Sequence, residues 1–389
     1  MGLPAFRPPK RLSLILALMM MVTLAGGCKQ GPWALWDSYA ARFIDAQGRV
    51  IDPQGSARTT SEGQAYALFF ALAANDRPHF ERVLTWTQAN LANGDLATHL
   101  PAWLWGKSGT GEWKALDPNP ASDADLWMAY TLEEAGRLWS DPIYSNLGRR
   151  MMAQIAQREV ADLPGFGPML LPGPSGFQHD RAWTLNPSYL PLFIFARLAA
   201  VDPAGPWARI AEGIPRLLQQ SAVHGFAMDW VSYLPGDGFY PAPAGIAKDA
   251  GPPIGSYDAI RVYLWAGMLD GGGNTRAEML NAVPAMSIYL ANHGAPPEKV
   301  SDQGIPMEQD GPVGFSAAVL PYLRALPHME KPGSLQTIRL SASKDASSGL
   351  YGRDIAYYDQ NLALFATGFL DGKFRFGPGG ELKVDWKRS

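Results

Sequence analysis

Apolar residues recur at intervals of three and four positions along most of the chain beyond residue 32, which is the spacing of one face of an α-helix. No repeated alternation of apolar and polar residues predicts a β-hairpin. The connecting segments are rich in Gly and Pro, and the longest of them span residues 160–186 and 223–256. The helical pattern occupies about twelve segments: 33–44, 62–74, 78–93, 123–139, 142–159, 187–200, 205–222, 257–270, 275–293, 313–325, 334–346 and 353–371.

Twelve helices can form an irregular bundle, a solenoid or a closed double ring of inner and outer helices, the (α/α)6 barrel. A solenoid requires a sequence repeat of fixed period, and the chain shows none. No low-complexity linker divides the chain. We therefore predict an all-α protein in which residues 29–389 form one domain. The helix count favours the barrel, whose long loops gather around a groove at one end, but the pattern alone leaves the topology open.

The first 28 residues have the pattern of a secretory signal peptide. Three basic residues, Arg7, Lys10 and Arg11, precede an apolar segment at 12–24 and the small residues at 25–27. Export to the periplasm or the exterior is therefore expected. Cys28 is the only cysteine, so an intramolecular disulfide is excluded, and a lipid attached to Cys28 is an alternative fate for the N terminus.

The composition of the chain limits the classes of ligand and binding partner that can be expected. A formal net charge of −3 over 389 residues gives no polybasic signal, so neither nucleic acid nor an anionic membrane is an expected partner. The 13 Trp and 14 Tyr supply more flat faces than a core of this size usually needs, which indicates that some of them stack on a ligand while the rest fill the core. The six His have no paired ligand spacing, and no nucleotide-binding turn has its proper context, so no metal or cofactor is predicted.

Three predicted helices begin in a similar way, with a serine followed within two residues by an acid: Ser61 and Glu62, Ser122 and Asp123, Ser256 and Asp258. Acids in the first turn of a helix are stabilised by about 0.3–1 kcal/mol, so each of these acids could simply be an accessory to a cap. Ser61 and Gln64 also have the spacing of a capping box. Gly63, however, costs about 1 kcal/mol inside a helix, which indicates that another group approaches the backbone there.

Two separated carboxyl groups that converge on one groove are the minimal equipment for hydrolysing a glycosidic bond. One of them must be protonated in order to donate to the leaving oxygen. The other must be ionised in order to activate water or attack the sugar carbon. The acid-bearing helix starts are therefore candidates for such a site.

The same segments resemble glycoside hydrolase family 8. The resemblance is carried by Ser-Glu-Gly-Gln-Ala-Tyr at 61–66, Ala-Ser-Asp-Ala-Asp at 121–125 and Ser-Tyr-Asp-Ala-Ile-Arg at 256–261. It extends from about residue 33 to residue 370, and further runs support it in the same order, at 100–106, 186–190, 296–300 and 311–317. Within the family, the chain resembles the periplasmic endo-β-1,4-glucanases of bacterial cellulose synthase operons.

This resemblance implies an (α/α)6 barrel and an inverting endo-hydrolase of β-1,4-glucan, acting without a cofactor and associated with cellulose synthesis. Glu62 would be the general acid and Asp258 the general base, with Asp123 holding the distorted sugar between them. Four further positions match residues that orient the base or contact sugar: Trp105, Tyr189, Tyr257 and Arg261. Two alternatives remain, a family 8 hydrolase of chitosan or xylan and a weakly active glucan-binding accessory of the cellulose synthase assembly. A monomer is expected.

Other acids and aromatic residues receive a structural interpretation. Asp125 is expected to be a buried hydrogen-bond acceptor. Glu133, Glu134 and Glu298 are expected on solvated faces, and Asp354 and Asp359 as caps of the last helix. Sugar stacking is expected of the tryptophans in Gly- and Pro-rich segments, and core packing of those in helices. The first group is Trp103, Trp105, Trp113, Trp183 and Trp230, and the second is Trp86, Trp139 and Trp265.

Overall fold

The structure is a computed structural model that describes residues 1–2, 33–222, 224–243, 251–271, 273–307 and 309–387. Cys28 and nearly all of the predicted signal peptide lie outside these residues. Within them are thirteen helices: α1 (Ala34–Phe43), α2 (Ser61–Ala73), α3 (Arg77–Leu91), α4 (Ser122–Trp139), α5 (Pro142–Arg158), α6 (Leu192–Val201), α7 (Trp207–Ser221), α8 (Ala259–Met268), α9 (Asn274–Ala282), α10 (Ala285–Leu290), α11 (Val313–Ala325), α12 (Glu330–Ala342) and α13 (Tyr357–Leu370).

The helices form an (α/α)6 barrel, as predicted. The inner ring consists of α2, α4, α6, α8, α11 and α13, and the outer positions are taken by α1, α3, α5, α7, the pair α9 and α10, and α12. Apolar side chains surround the inner helices, so every residue of α2 except Glu62 is buried, as are all residues of α8. An outer helix buries one stripe only. In α5 that stripe is Tyr144, Gly148, Met151, Met152 and Ile155.

Aromatic side chains fill the axis of the barrel. The ring of Trp127 on α4 lies 4.9–5.8 Å from the rings of Tyr66, Phe69, Trp265 and Phe365, which come from α2, α8 and α13. Such pairs contribute about 0.5–1.5 kcal/mol each beyond the area that they bury. The inner helices are thereby fixed relative to one another, and the part of the barrel below their N-terminal ends is closed.

The connections contain short antiparallel strands that the sequence pattern did not predict. They are β1 (Thr59–Thr60), β2 (Ala102–Lys107), β3 (Trp113–Pro120), β4 (Val160–Leu163), β5 (Gly167–Leu170), β6 (Gln178–His179), β7 (Ala182–Leu185), β8 (Trp230–Leu234), β9 (Gly238–Ala242), β10 (Ile254–Gly255), β11 (Val300–Ser301), β12 (Phe374–Phe376) and β13 (Leu382–Val384). β1 to β3 form one sheet and β6 to β9 another, and the rest are two-stranded pairs. Six of them have only two or three residues, which is too short to show a period of two.

Prolines account for the main differences in helix boundaries. The helix predicted at 275–293 is divided into α9 and α10 at Pro284. The helix predicted at 187–200 begins only at Leu192, because a 3₁₀ turn at Pro187–Tyr189 and Pro191 precede it. A proline disfavours helical backbone in the residue before it, so each break occurs where a proline stands. Among the described helices, none is long and apolar enough to cross a membrane.

Glu133 and Glu134 were expected to be solvated, and that prediction is wrong. Both are buried on α4, where the Glu134 carboxylate accepts hydrogen bonds from Arg197 Nε at 2.6 Å and Leu382 N at 2.7 Å. Arg149 donates to Glu133 at 3.3 Å. α4 is an inner helix covered by α5 on one side and the β12–β13 hairpin on another, so its acidic face holds neighbouring elements by ion pairing.

Candidate active site

Three acids lie together at one end of the barrel, around the side chain of Arg261. Glu62 is in the first turn of α2, Asp123 in the first turn of α4, and Asp258 immediately before α8. Arg261 is 3% exposed. Its Nη1 donates to Glu62, while its Nη2 donates to Asp258 Oδ1 at 2.7 Å and lies 3.8 Å from Asp123 Oδ2. The barrel therefore brings the three predicted acids to one buried cation.

The serines that precede these acids do not cap the helices. Thr60 is the N-cap of α2, and its Oγ1 accepts a hydrogen bond from Gly63 N at 3.1 Å. The Ser61–Gln64 capping box is also wrong, because the amide of Gln64 accepts from Val50 N at 2.6 Å and donates to Thr87 Oγ1 at 2.8 Å. Gln64 thus ties α2 to the preceding loop and to α3.

The other two helix starts are held differently. Ser122 is the first residue of α4, whose N-cap Ala121 has no side chain able to cap, and Asp123 Oδ1 accepts from Ala124 N at 2.8 Å. Ser256 Oγ donates to the backbone oxygen of Glu298 at 2.8 Å. Ser256 therefore joins the start of α8 to the loop before β11.

Gly63 lies where the sequence indicated a close approach to the backbone, and that prediction is confirmed. A Cβ on Gly63 would collide with the hydroxyl of Tyr357 on α13. The ring of Tyr357 also packs against Phe43, with centroids 5.6 Å apart. Glycine next to Glu62 therefore lets α13 close against the start of α2.

Both oxygens of the Asp258 carboxylate are engaged. Oδ1 accepts from Arg261, and Oδ2 accepts from Asn186 Nδ2 at 3.0 Å. Asn186 Oδ1 in turn accepts from Ser188 Oγ at 2.7 Å, and Ser188 Oγ accepts from Arg261 Nη2 at 2.9 Å. The ring of Tyr189 lies 5.8 Å from the Arg261 guanidinium. Asn186 and Ser188 belong to a run that the resemblance includes, but nothing local in the sequence predicted their contact with Asp258.

The environment of Asp123 disfavours the charged form of its carboxyl group. Burial raises the pKa of Asp123 well above its usual range, and the charge of Glu62 raises it further, while Arg261 opposes both. A carboxyl group that keeps its proton can donate a hydrogen bond as well as accept one. A protonated Asp123 can therefore both donate a hydrogen bond to a hydroxyl group of a polyhydroxylated ligand and accept one from it.

Aromatic rings extend from Glu62 along one side of the site. Trp105 on β2 pairs with Thr59 on β1, which leads directly into α2. The ring of Trp105 stacks on Trp113 at 4.9 Å with an interplanar angle of 18°, and Trp113 is 44% exposed. The guanidinium of Arg49 lies 4.4 Å from the Trp105 ring. A half-exposed indole surface thus lies beside the first turn of α2.

A second group of aromatic residues surrounds Asp258. Tyr257 is 44% exposed, and its hydroxyl donates to Glu298 at 3.2 Å, so Glu298 is not simply solvated. Burial raises the pKa of Tyr257 to about 12, and the hydroxyl therefore stays protonated. Tyr358 on α13 donates to the backbone oxygen of Tyr257 at 2.5 Å. Tyr189 faces Trp230, whose ring is parallel to that of Phe177 at 6.1 Å.

The tryptophans divide largely as expected. Trp103, Trp105 and Trp230 are half-buried and Trp113 is exposed, whereas Trp86 and Trp265 are buried in the core. Trp183 departs from the prediction, since it is buried against Tyr233. Trp139 is only partly buried, and its Nε1 donates to Asn75 at 2.8 Å.

Asp125 is buried as expected, but its role as a hydrogen-bond acceptor is wrong. Its carboxyl oxygens accept no hydrogen bond from an N–H or hydroxyl group in the part of the chain that the structure describes. The carboxyl faces Glu159 instead, at the end of α5. Burial and the charge of Glu159 raise the pKa of Asp125 well above its usual range, and burial raises the pKa of Glu159 to about 8. The two acids form a buried pair behind Asp123.

The remaining acids near the last helix also differ from the prediction. Asp354 is exposed and does not cap α13, whose N-cap is Ala356. Asp359 is buried in the first turn of α13 and accepts from Gly314 N on α11 at 3.1 Å. Among the described residues, no group of three or more His, Cys, Asp or Glu could hold a metal ion.

Comparison with known proteins agrees with the fold. The family model of glycosyl hydrolases family 8 matches residues 9–372. The chain is 45% identical to an endoglucanase of Xanthomonas axonopodis pv. citri (strain 306) over 379 residues, 96% of this chain and 94% of the relative. It is 43% identical to an endoglucanase of Escherichia coli (strain K12) over 358 residues, 91% of each. The crystal structure of an endo-1,4-D-glucanase from Vibrio fischeri ES114 superposes with a TM-score of 0.83 at 36% identity, covering 92% of this chain and 100% of that one. The chain belongs to family 8 of the glycosyl hydrolases.

Proposed function

We propose that the protein is an endo-β-1,4-glucanase that hydrolyses internal bonds of a cellulose-like glucan with inversion at the anomeric carbon. The observation that carries the proposal is that the barrel brings Glu62 and Asp258, from the starts of two different inner helices, to one site around the buried side chain of Arg261. The relatives named above are endoglucanases, which supports glucan as the substrate. The half-exposed indole surface of Trp105 and Trp113 suits the C–H faces of successive sugar rings.

The proposed mechanism uses the two acids for opposite tasks. Asp258 accepts a proton from a water molecule as that water attacks the anomeric carbon. Glu62 donates its own proton to the glycosidic oxygen, which leaves on the opposite face of the ring. The attacking oxygen forms a bond to carbon, the carbon–oxygen bond to the leaving sugar breaks, and proton exchange with solvent restores both acids. Inversion requires the carboxyl groups to lie roughly 6.5–9.5 Å apart, so that a water molecule fits between the base and the sugar.

Asp123 would bind the sugar whose anomeric carbon reacts. It lies within reach of the same guanidinium, is 3% exposed, and keeps its proton more readily than a solvated acid. A buried carboxyl that both donates and accepts can hold a ring hydroxyl in a distorted conformation. Its removal is therefore expected to lower kcat more than it raises KM.

The test compares the purified chain lacking residues 1–28 with Glu62→Gln, Asp258→Asn and Asp123→Asn on carboxymethylcellulose, xylan and chitosan. Glu330→Gln, an exposed acid in the first turn of the outer helix α12, is the matched control and should behave as wild type. A fall of about 10³-fold or more in kcat for the first two variants is expected. If the wild type is no more active than either variant but still binds glucan, the enzymatic role is refuted and the role of a glucan-binding accessory is supported. Faster turnover of xylan or chitosan than of carboxymethylcellulose would identify that polysaccharide as the substrate instead.

The stereochemistry needs a separate measurement. Proton NMR of early product from a soluble β-glucan should show the α-anomer first, since inversion changes the configuration at the reacting carbon. A β-anomer formed first would contradict the proposed role of Asp258 as the base.

We further propose that the enzyme is exported, acts as a monomer, and serves bacterial cellulose synthesis. The support is the signal-peptide pattern of residues 1–28 and the resemblance to cellulose synthase operon enzymes. Fractionation of cells that produce the full chain, beside a Cys28→Ala variant, separates a soluble periplasmic protein from a lipid-anchored one. Retention in the cytoplasm would refute the export proposal, and light scattering of the purified protein tests the monomer.

A further inference from the structure

Asp229 stands directly before β8 and reaches the start of α8 from outside that helix. It is buried, and its Oδ1 accepts hydrogen bonds from Ser256 N and Ala259 N, both at 2.7 Å. These two residues flank Tyr257 and Asp258. A single carboxylate oxygen therefore holds the backbone on both sides of the proposed base.

Asp229 caps the start of α8. The first N–H groups of any helix have no partner within the helix. Asp258 occupies the N-cap position of α8, and in the described structure its side chain makes no capping bond, because it is directed to Arg261 and Asn186. The backbone of Asp229 is anchored as well, since its N–H donates to the Ile254 oxygen at 2.8 Å. Asp229 thus supplies the cap that frees Asp258 for chemistry.

We propose that Asp229 is a positioning residue for the hydrolytic reaction, which fixes the backbone of Asp258 and places a second carboxyl group behind the base. The proposal rests on the proposed role of Asp258. Nothing in the sequence near Asp229 indicated such a contact, because Asp229 and Ser256 are separated by 26 intervening residues and are joined only by the fold.

The charge of Asp229 changes near neutral pH. Burial raises the pKa of Asp229 to about 7, with a further contribution from the charge of Asp258, while its two backbone hydrogen bonds and Arg261 oppose the rise. The groups that face it are Asp258 and Arg261 from α8 and Tyr358 from α13. Below pH 7 Asp229 is mostly neutral. Above pH 7 Asp229 is mostly charged, and a negative charge beside Asp258 stabilises the proton that Asp258 takes from water in the proposed reaction.

The experiment compares Asp229→Asn, which keeps the acceptor oxygen but not the charge, with Asp229→Ala, which loses both. Asp229→Ala is expected to lower kcat on carboxymethylcellulose by about 10- to 100-fold with KM changed less than about twofold, because the base is misplaced. Asp229→Asn is expected to stay within about threefold of wild type at pH 5.5. Its kcat/KM relative to wild type should then fall by about three- to tenfold between pH 5.5 and pH 8, because only the wild type gains the charge.

Two controls make the outcomes decisive. Asp76→Ala removes a comparable cap, at the start of α3 at the other end of the barrel, and should lose stability without losing kcat. If Asp76→Ala lowers kcat as much as Asp229→Ala, the effect is general destabilisation and the inference fails. It also fails if Asp229→Ala keeps wild-type kcat, or if the Asp229→Asn ratio is the same at pH 5.5 and pH 8. Asp258→Asn tests the proposed role of Asp258 as the base, since wild-type turnover in that variant would refute the proposed function itself.

Discussion

Replacement of Arg261 by methionine removes the cation around which the three site acids lie. The guanidinium is buried, and it pairs with Glu62 and Asp258, whose side chains are 29% and 28% exposed. Breaking a buried ion pair by removing one partner costs about 3–5 kcal/mol, and the partial exposure of both carboxylates reduces this to about 2–4 kcal/mol. We expect Arg261→Met to lose that much unfolding free energy at pH 7.5. Arg261→Lys keeps the charge but not the two-pronged geometry, and should lose less.

The loss should depend on pH in a defined direction. Arg261 lowers the pKa of Asp123, so its removal raises that pKa further. A carboxyl whose pKa is raised on folding is most favourable to the folded state when it is protonated, below its unfolded pKa of about 3.9, and becomes less favourable as the pH rises. Arg261→Met should therefore be closer to wild type at pH 4.5 than at pH 7.5.

Urea unfolding at the two pH values measures the difference directly. Arg209→Met is the control, because Arg209 is 68% exposed and its ion pair with Asp162 is at the surface, where such pairs contribute at most about 1 kcal/mol. An Arg261→Met loss that is equal at both pH values, or no larger than that of Arg209→Met, would refute the argument that one buried cation balances the site acids.

Three further results are expected. Glu159→Gln should be more stable than wild type at pH 8 by up to about 3–5 kcal/mol. The wild type loses stability as the pH rises from the pKa of about 4.5 in the unfolded chain towards the pKa of about 8 in the folded protein. Urea unfolding between pH 5 and pH 8 measures this loss, and a wild-type stability that does not change with pH would contradict it. Gly63→Ala should lose about 1–3 kcal/mol because its Cβ meets the Tyr357 hydroxyl, and adding Tyr357→Phe should restore part of the loss in thermal melts, whereas a clash that involves only backbone would not respond. Trp105→Ala should raise KM for a long glucan by about 5- to 10-fold with kcat nearly unchanged, as for a contact made equally in the ground and transition states, and an unchanged KM would remove Trp105 from the binding surface.

Local pattern was a good guide wherever one helix could be considered by itself. The segment predicted at 313–325 coincides with α11, and α4 and α2 begin within one residue of their predicted starts. Six of the strands were missed because two or three residues show no period of two. The longer strands, such as β2 at 102–107, lack a regular alternation of apolar and polar residues. The burial of Glu134 was missed because acids on a helix are usually solvated, and only the packing of the β12–β13 hairpin makes an exception.

The sequence by itself determined that the chain is helical, that three helix starts carry acids, and that Gly63 faces a close neighbour. These properties depend on side-chain spacing and on backbone freedom within a few residues. Only the tertiary structure decided which side chains meet. Arg261 contacts Glu62 across 199 positions of sequence, and Asn186 contacts Asp258 across 72. Asp229, directly before β8, caps the start of α8. Such contacts are set by how six inner helices close into a ring, and no local pattern encodes a distance between helices that are remote in sequence.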